Sequence, residues 1–316
     1  MQGEPSAAVT SASRRFRTGS DADVDAYLLE DGRFFLFCHL LDGSLAADDA
    51  YARSLVGAFP EGTVMGVGRA LKTDEGSTPL APVWFGEAPA GGELWTVEAG
   101  VRFRLEAERV LNPGLFLDQR ENRQRLGELV REARIEPGQR EDDGLLNLFS
   151  YTGAFSLAAR RAGVRRTTSV DLSARYLAWE RQNFDANFAG AAATPSEEAP
   201  RLIRDDARAF LRRAVKKGAK YRFIVIDPPT FSRGQKDVFR VQEQLVPMAR
   251  DALECLCTDG LSAVLVSMND ARWNPVDFFG AFDGLARDAG VRAERGHTPA
   301  DFGDAHPLKS VWLIRG

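Results

Sequence analysis

From Gly144 onward, short apolar runs alternate with helical patterns, and this alternation constrains the fold more than any other feature of the chain. LLNLF precedes a helix expected from about Ala154 to Ala162, TTSVD one from about Ala174 to Asn187, and RLIR one from about Ala207 to Lys217. FIVID precedes a helix from about Val238 to Leu256, and LSAVLVSM precedes one around Asp277–Ala289. Short strand-like runs near Val291–Arg295 and Ser310–Ile314 follow. Strand and helix alternating at this spacing predict an α/β fold with a doubly wound parallel sheet and right-handed crossovers. In such sheets ligands bind outside the carboxyl ends of the strands, so the chemistry is sought just after each strand.

The preceding part reads differently. Between about Asp23 and Val110, runs such as AYLLE, RFFLFCHLL, ELWTVEA and VRFRLEA are separated by Gly, Asp and Pro clusters. That pattern predicts a small strand-rich α+β domain over 23–110, expected to contact substrate. Residues 1–22 are polar, lack the apolar core of a secretory signal and read as a flexible tail. AGAAATPSEEAP (Ala189–Pro200) has little to bury and reads as a surface loop. With 316 residues, 44% of them hydrophobic, the chain can build a sizeable core, and no apolar run approaches the roughly 20 residues of a membrane helix. Three cysteines, Cys38, Cys255 and Cys257, cannot all pair, and no His or further Cys stands near Cys255 and Cys257 to complete a metal site. Buried inert thiols, no metal and a reducing cytoplasm are expected. A net charge of −4 argues against a strongly nucleic-acid-binding surface. The stretch Arg201–Arg222 is locally basic, with Arg212, Arg213, Lys216, Lys217 and Lys220, and its plainest reading is a solvated helix face.

The strand ends carry the candidate site. After the first strand stands Ser150-Tyr151-Thr152-Gly153, which lacks the spaced glycines of a pyrophosphate turn and so disfavours NAD or FAD. A turn this tight suits S-adenosylmethionine, whose carboxylate backbone amides can meet; it can also be a plain strand-to-helix connection. After the second strand stands Asp171, about twenty residues on, where nucleoside-binding folds place an acid for ribose hydroxyls. The alternative is a helix cap, which Ser173 would serve equally well. After the third strand, one of Asp205 and Asp206 is expected to cap the helix and the other to face the cofactor. After the fourth stands Asp227-Pro228-Pro229-Thr230-Phe231-Ser232, where two prolines stiffen the loop behind the acid and Phe231 offers a face for a planar base.

These residues resemble the bacterial large-subunit ribosomal RNA methyltransferases of the RlmI and RlmK type. The likeness rests on GLFLDQRENR (Gly114–Arg123), NLFSYTGAFSLAA (Asn147–Ala159), SVDLSARYLAWERQN (Ser169–Asn183), IRDDARAFL (Ile203–Leu211) and VIDPPTFS (Val225–Ser232). The resemblance implies a Rossmann-like class I methyltransferase fold over 111–316, with a mostly parallel seven-stranded sheet, and RNA as the partner. It implies cofactor contacts at Phe149, Ser150, Tyr151, Thr152, Gly153, Asp171, Leu172, Ser173, Asp205, Asp206 and Asp227, and places Asp227, Pro228, Pro229 and Phe231 at the reacting centre. Asp118 and Arg120 would lie beside the site, with Arg120 engaging the cofactor carboxylate or tying the two domains together.

One departure bears on the chemistry. Cytosine C5 is a poor nucleophile, and methylating it requires a cysteine that adds to the ring. Thr230, Phe231 and Ser232 after the fourth strand and Ser267, Met268 and Asn269 at the fifth include no thiol. Guanine N7 carries a free lone pair and needs no base, so alignment could suffice. The DPPTFS form is similar to the RlmK type, which acts there. Against this stand the extra RNA-binding domain and the large partner half carried by members of the family, neither of which is evident here. A small-molecule or protein acceptor, or an idle RNA-binding or ribosome-assembly module, are the competing readings.

Overall fold

The computed structural model describes residues 12–18, 22–46, 48–73, 76–89, 93–134, 144–188, 199–229, 241–303 and 306–316. They fall into two compact units, Met1–Leu117 and Asp118–Gly316. The division comes after Leu117, seven residues later than the boundary expected at Val110.

The first unit is strand-rich. Strands β1 (Ala12–Thr18), β2 (Ala22–Leu28), β3 (Phe34–Leu40), β4 (Val64–Thr73) and β5 (Gly76–Trp84) lie side by side in chain order. All neighbours are antiparallel except β3 and β4, whose parallel pairing needs a crossover that contains helix α1 (Ala50–Val56). Val24, Leu36, Cys38, Leu40, Leu55 and Val67 share one core cluster. A hairpin of β6 (Glu93–Glu98) and β7 (Val101–Glu106) turns through Ala99 and Gly100, both at positive φ, as a two-residue loop matched to strand twist requires. Within the stretch 1–22 read as a flexible tail, Ala12–Thr18 form β1, paired in a ladder with β2, while residues 1–11 and 19–21 lie outside the described residues. Polar composition hid the strand.

The second unit is the α/β sheet. Its strands are β8 (Leu145–Leu148), β9 (Thr167–Asp171), β10 (Arg201–Arg204), β11 (Phe223–Ile226), β12 (Ser262–Asn269), β13 (Arg292–Arg295) and β14 (Leu308–Arg315). They lie in the order β10-β9-β8-β11-β12-β14-β13. The first five are mutually parallel, and β14 runs antiparallel between β12 and β13. Order reverses between β8 and β11, the switch point at which a crevice opens. The helices are α2 (Arg120–Glu132), α3 (Ala154–Ala162), α4 (Ala174–Phe188), α5 (Ala207–Lys216), α6 (Val241–Glu254) and α7 (Pro275–Ala289).

Period-two alternation divides the buried strands between two cores. Leu146, Leu148, Ile224, Ile226, Val264 and Val266 join α5, α6 and α7 on one face. Leu145, Phe223, Val225, Ala263 and Leu265 join α2 and α3 on the other. Burial on both faces explains why β8, β11 and β12 read as continuous apolar runs. Helix α2 was not anticipated, because RENRQRLGELVRE carries few apolar residues. It buries Leu126, Leu129 and Val130 but also Arg120, Asn122 and Arg123. Among the described residues no helix is long and apolar enough to cross a membrane.

Candidate functional site

The turn from β8 into α3 is unusual in its backbone. Phe149 (φ 61°), Tyr151 (φ 52°) and Gly153 (φ 82°) all lie in the left-handed region, which costs little for glycine and more for the two aromatic residues. Such a conformation persists only where its surroundings hold it. Tyr151 N–H donates to Asp171 Oδ2 at 3.0 Å, Asn183 Nδ2 donates to the Thr152 carbonyl at 3.0 Å, and Ser150 N–H donates to the Val170 carbonyl at 3.1 Å. The Tyr151 ring packs edge-on against Tyr176, with centroids 4.6 Å apart.

Asp171 ends β9 beside this turn. Its Oδ1 accepts the Ser173 N–H at 2.8 Å, while Ser173 Oγ accepts the Tyr176 N–H at 3.3 Å. Ser173 therefore caps α4, and Asp171 is left to brace the turn. Burial raises the Asp171 carboxyl above the usual carboxylate range, opposed by the Ser173 and Tyr151 amides. Leu172 follows, an aliphatic side chain 53% exposed at the strand tip.

At the tip of β10, Asp206 is the helix cap, accepting the Ala209 N–H at 2.9 Å and pairing with Arg208 at 3.1 Å. Asp205, the acid left to face the cofactor on that expectation, turns its carboxylate to Arg213.

Asp227 follows β11 at the switch point. Ser267 Oγ donates to its Oδ1 at 2.5 Å and Gln119 Nε2 donates to the same oxygen at 2.9 Å. Among the described residues no donor reaches Oδ2. Burial raises this carboxyl too, opposed by Ser267, the Arg123 guanidinium and Gln119. Gln119 is itself oriented, since Asn122 Nδ2 donates to its Oε1 at 2.7 Å and also lies 3.1 Å from Ser310 Oγ. Pro228 is buried and Pro229 exposed; Phe231 lies outside the described residues.

Asp118 accepts from Asn269 Nδ2 at 3.2 Å, with His306 Nε2 3.9 Å from the same oxygen. Arg120 pairs with Asp301 of the same unit, a partner that neither expectation for Arg120 included. Gln119, Ser267, Asn269, His306 and Asp301 were missed from sequence: each acts through a partner far along the chain, and no local pattern marks it. Cys255 and Cys257 flank Leu256, which bridges to Tyr221 at the amino end of β11, opposite Asp227. Burial pushes the Cys255 thiol up to about 11. Cys38 belongs to the first unit.

A family described as S-adenosylmethionine-dependent methyltransferase matches residues 68–314. Ribosomal RNA large subunit methyltransferase K of Neisseria meningitidis serogroup B is 33% identical over 174 residues, 54% of this chain and 45% of that protein. The chain thus spans less than half the length of that relative. A SAM-dependent methyltransferase candidate from Streptococcus mutans superposes with a TM-score of 0.75 at 25% identity, covering 98% of this chain and 76% of that one. A methyltransferase candidate solved as a complex with SAH superposes with a TM-score of 0.74, at the same identity and coverage.

Proposed function

Since the chain belongs to the S-adenosylmethionine-dependent methyltransferase family, we propose that it methylates a base of large-subunit ribosomal RNA, with guanine N7 as the acceptor. The cofactor is S-adenosylmethionine, which supplies an electrophilic methyl group on a sulfonium. The residues present fit it. The strained turn Phe149–Gly153 stands beside Asp171, which retains lone pairs for two ribose hydroxyls, and exposed Leu172 offers an apolar face to adenine. Ser173 anchors the start of α4 beneath them. Asp206 serves the helix, and Asp205 would reach an adenine amino group only by exchanging Arg213 for it.

The observation that carries the acceptor assignment is at Asp227. Two protein donors converge on Oδ1, so Oδ2 is the oxygen available to an amino group of the acceptor base. Guanine presents such a group, as adenine and cytosine do, and its N7 is favoured among them by the resemblance of DPPTFS to the RlmK type. A carboxylate fixed in this way aligns the ring nitrogen with the methyl group and abstracts no proton, and N7 requires none. Pro228 and Pro229 stiffen the loop behind it, and Phe231 supplies a stacking face. The thiol that cytosine C5 would need is absent from the strand tips. The RNA substrate is supported by the likeness to the Neisseria relative.

Methyl transfer from isotopically labelled S-adenosylmethionine to unmodified large-subunit rRNA, followed by mass spectrometry of the nucleosides, is expected to yield 7-methylguanosine. Label in another nucleoside would reassign the acceptor atom, and no label in RNA would redirect the search to small molecules and proteins. Asp171→Ala is expected to weaken cofactor binding by roughly 1.5–3 kcal/mol, the range for hydrogen bonds to a charged group. An unchanged dissociation constant by calorimetry would remove Asp171 from the ribose site.

A further inference from the structure

We propose that Glu180 is a positioning residue, a buried carboxyl that holds the turn Phe149–Gly153 in its cofactor-binding shape and couples cofactor affinity to pH. This rests on the reading that the turn binds S-adenosylmethionine.

Glu180 lies on α4 and is 0% exposed. It sits directly under the turn: a Cβ on Gly153 would stand 2.3 Å from Glu180 Cγ and 2.4 Å from Cδ. Gly153 is thus the residue that lets the backbone approach the carboxyl. A chain of short hydrogen bonds ends on it. Asn147 Nδ2 donates to Ser156 Oγ at 2.9 Å, Ser156 and Ser169 hydroxyls meet at 2.8 Å, and Ser169 Oγ donates to Glu180 Oε1 at 2.5 Å. Because the Asn147 amide can only donate, the direction is set: Ser156 passes its proton toward Ser169, and Ser169 toward Glu180. The second oxygen, Oε2, and the Ser150 hydroxyl inside the turn are both buried and make no hydrogen bond among the described residues, although Ser150 is near enough to favour the charged carboxyl.

The groups around this carboxyl are Ser150 from the turn, Ser156 from α3, Ser169 and Asp171 from β9, and Asn183 from its own helix, which holds the Thr152 carbonyl. Asp171 is the charged group among them, and its sign disfavours ionisation. Burial, with no cation beside it among the described residues, pushes the Glu180 carboxyl up to about 7. When ionised, Glu180 accepts from Ser169 through Oε1 and its charged Oε2 draws on the unpaired Ser150 hydroxyl, a charge-assisted interaction of the stronger kind. When protonated, the carboxyl is neutral and its O–H is a donor, so its pull on the Ser150 hydroxyl inside the turn is lost. The ionised form therefore holds the turn more firmly, and affinity rises as pH rises through the neutral range.

The test is calorimetric binding of S-adenosylmethionine and of S-adenosylhomocysteine between pH 6 and 8, on wild type, Glu180→Gln and Asp171→Ala. For wild type both ligands are expected to bind about two- to fivefold tighter at pH 8 than at pH 6, as a downward shift of about a half-unit to one unit on binding dictates for a group near 7. Glu180→Gln is expected to lose that part of the slope. Titration of the ligand amine or of Asp171 persists in the Gln variant, so the difference between profiles belongs to Glu180. Parallel profiles for wild type and Glu180→Gln overturn the proposal. So does a slope for S-adenosylmethionine alone, because a charge acting on the sulfonium would spare the uncharged thioether while a change in the turn affects both. Should Glu180→Gln fail to fold, a flat wild-type profile for S-adenosylhomocysteine overturns it equally. If Asp171→Ala also binds with unchanged affinity, the assignment of the turn to the cofactor is what fails.

Discussion

Asp227→Ala is expected to lower the rate of methyl transfer at least about 100-fold, the scale on which misalignment by an ångström acts, with cofactor affinity changed far less. The fold should survive. Removing the carboxylate leaves the Ser267 hydroxyl and the Gln119 amide without their acceptor, at a cost of about 1–3 kcal/mol. It also removes a carboxyl whose ionisation burial disfavours, and the two effects offset. Single-turnover kinetics and thermal unfolding of the same preparation separate chemistry from stability. The wild-type rate should fall as pH drops through the carboxyl's raised pKa, because only the ionised form accepts from the acceptor base at full strength. The limb therefore lies above the usual carboxylate range, and Asp227→Asn should flatten it. Turnover near wild type in the Ala variant would remove Asp227 from the reacting centre.

The second large effect is expected at Gly153. In Gly153→Ala the new Cβ would stand 2.7 Å from Glu180 Oε1 and closer still to its Cγ and Cδ. The left-handed φ of 82° adds strain of roughly 1–2 kcal/mol for a residue with a Cβ, and overpacking in a filled interior adds about 1–3 kcal/mol. A total loss of about 2–5 kcal/mol in urea unfolding is expected, with weakened cofactor binding. Gly290→Ala is the control: φ is left-handed there too, at 64°, but nothing stands within 4 Å, so only the backbone term applies. Equal losses at the two positions would show that the Glu180 carboxyl does not press on the turn.

Where a feature is local in the chain, the sequence shows it. The β8 to β12 alternation, the tight turn at Gly153 and the acid before two prolines follow from neighbouring residues, and strand tips are where a parallel sheet binds ligands. Partners remote in sequence are not legible in this way. Gln119 reaches Asp227 across 108 positions and Ser267 across 40. Glu180 sits in SARYLAWERQN, where a glutamate reads as solvated; only packing of α4 under the turn reveals a carboxyl 0% exposed. Helix α2 escaped because Arg120, Asn122 and Arg123 share its buried face with Leu126, Leu129 and Val130, so the apolar signal is confined to its second half. Leu172 was marked only by its place after Asp171, and the structure leaves it exposed at the strand tip.

The placement of β14 between β12 and β13 has a consequence for synthesis. Translation delivers β12 about forty residues before β14, yet β12's outer edge pairs with no other strand. β13 emerges in between and cannot close that edge, since it joins the sheet only through β14. On the ribosome, SAVLVSMN therefore waits as an apolar strand with one side open, the situation in which nascent chains pair with one another. Leu308–Arg315 ends that exposure in one step by filling the gap from both sides, so the parallel half of the sheet can assemble during elongation while the far edge waits for its last strand.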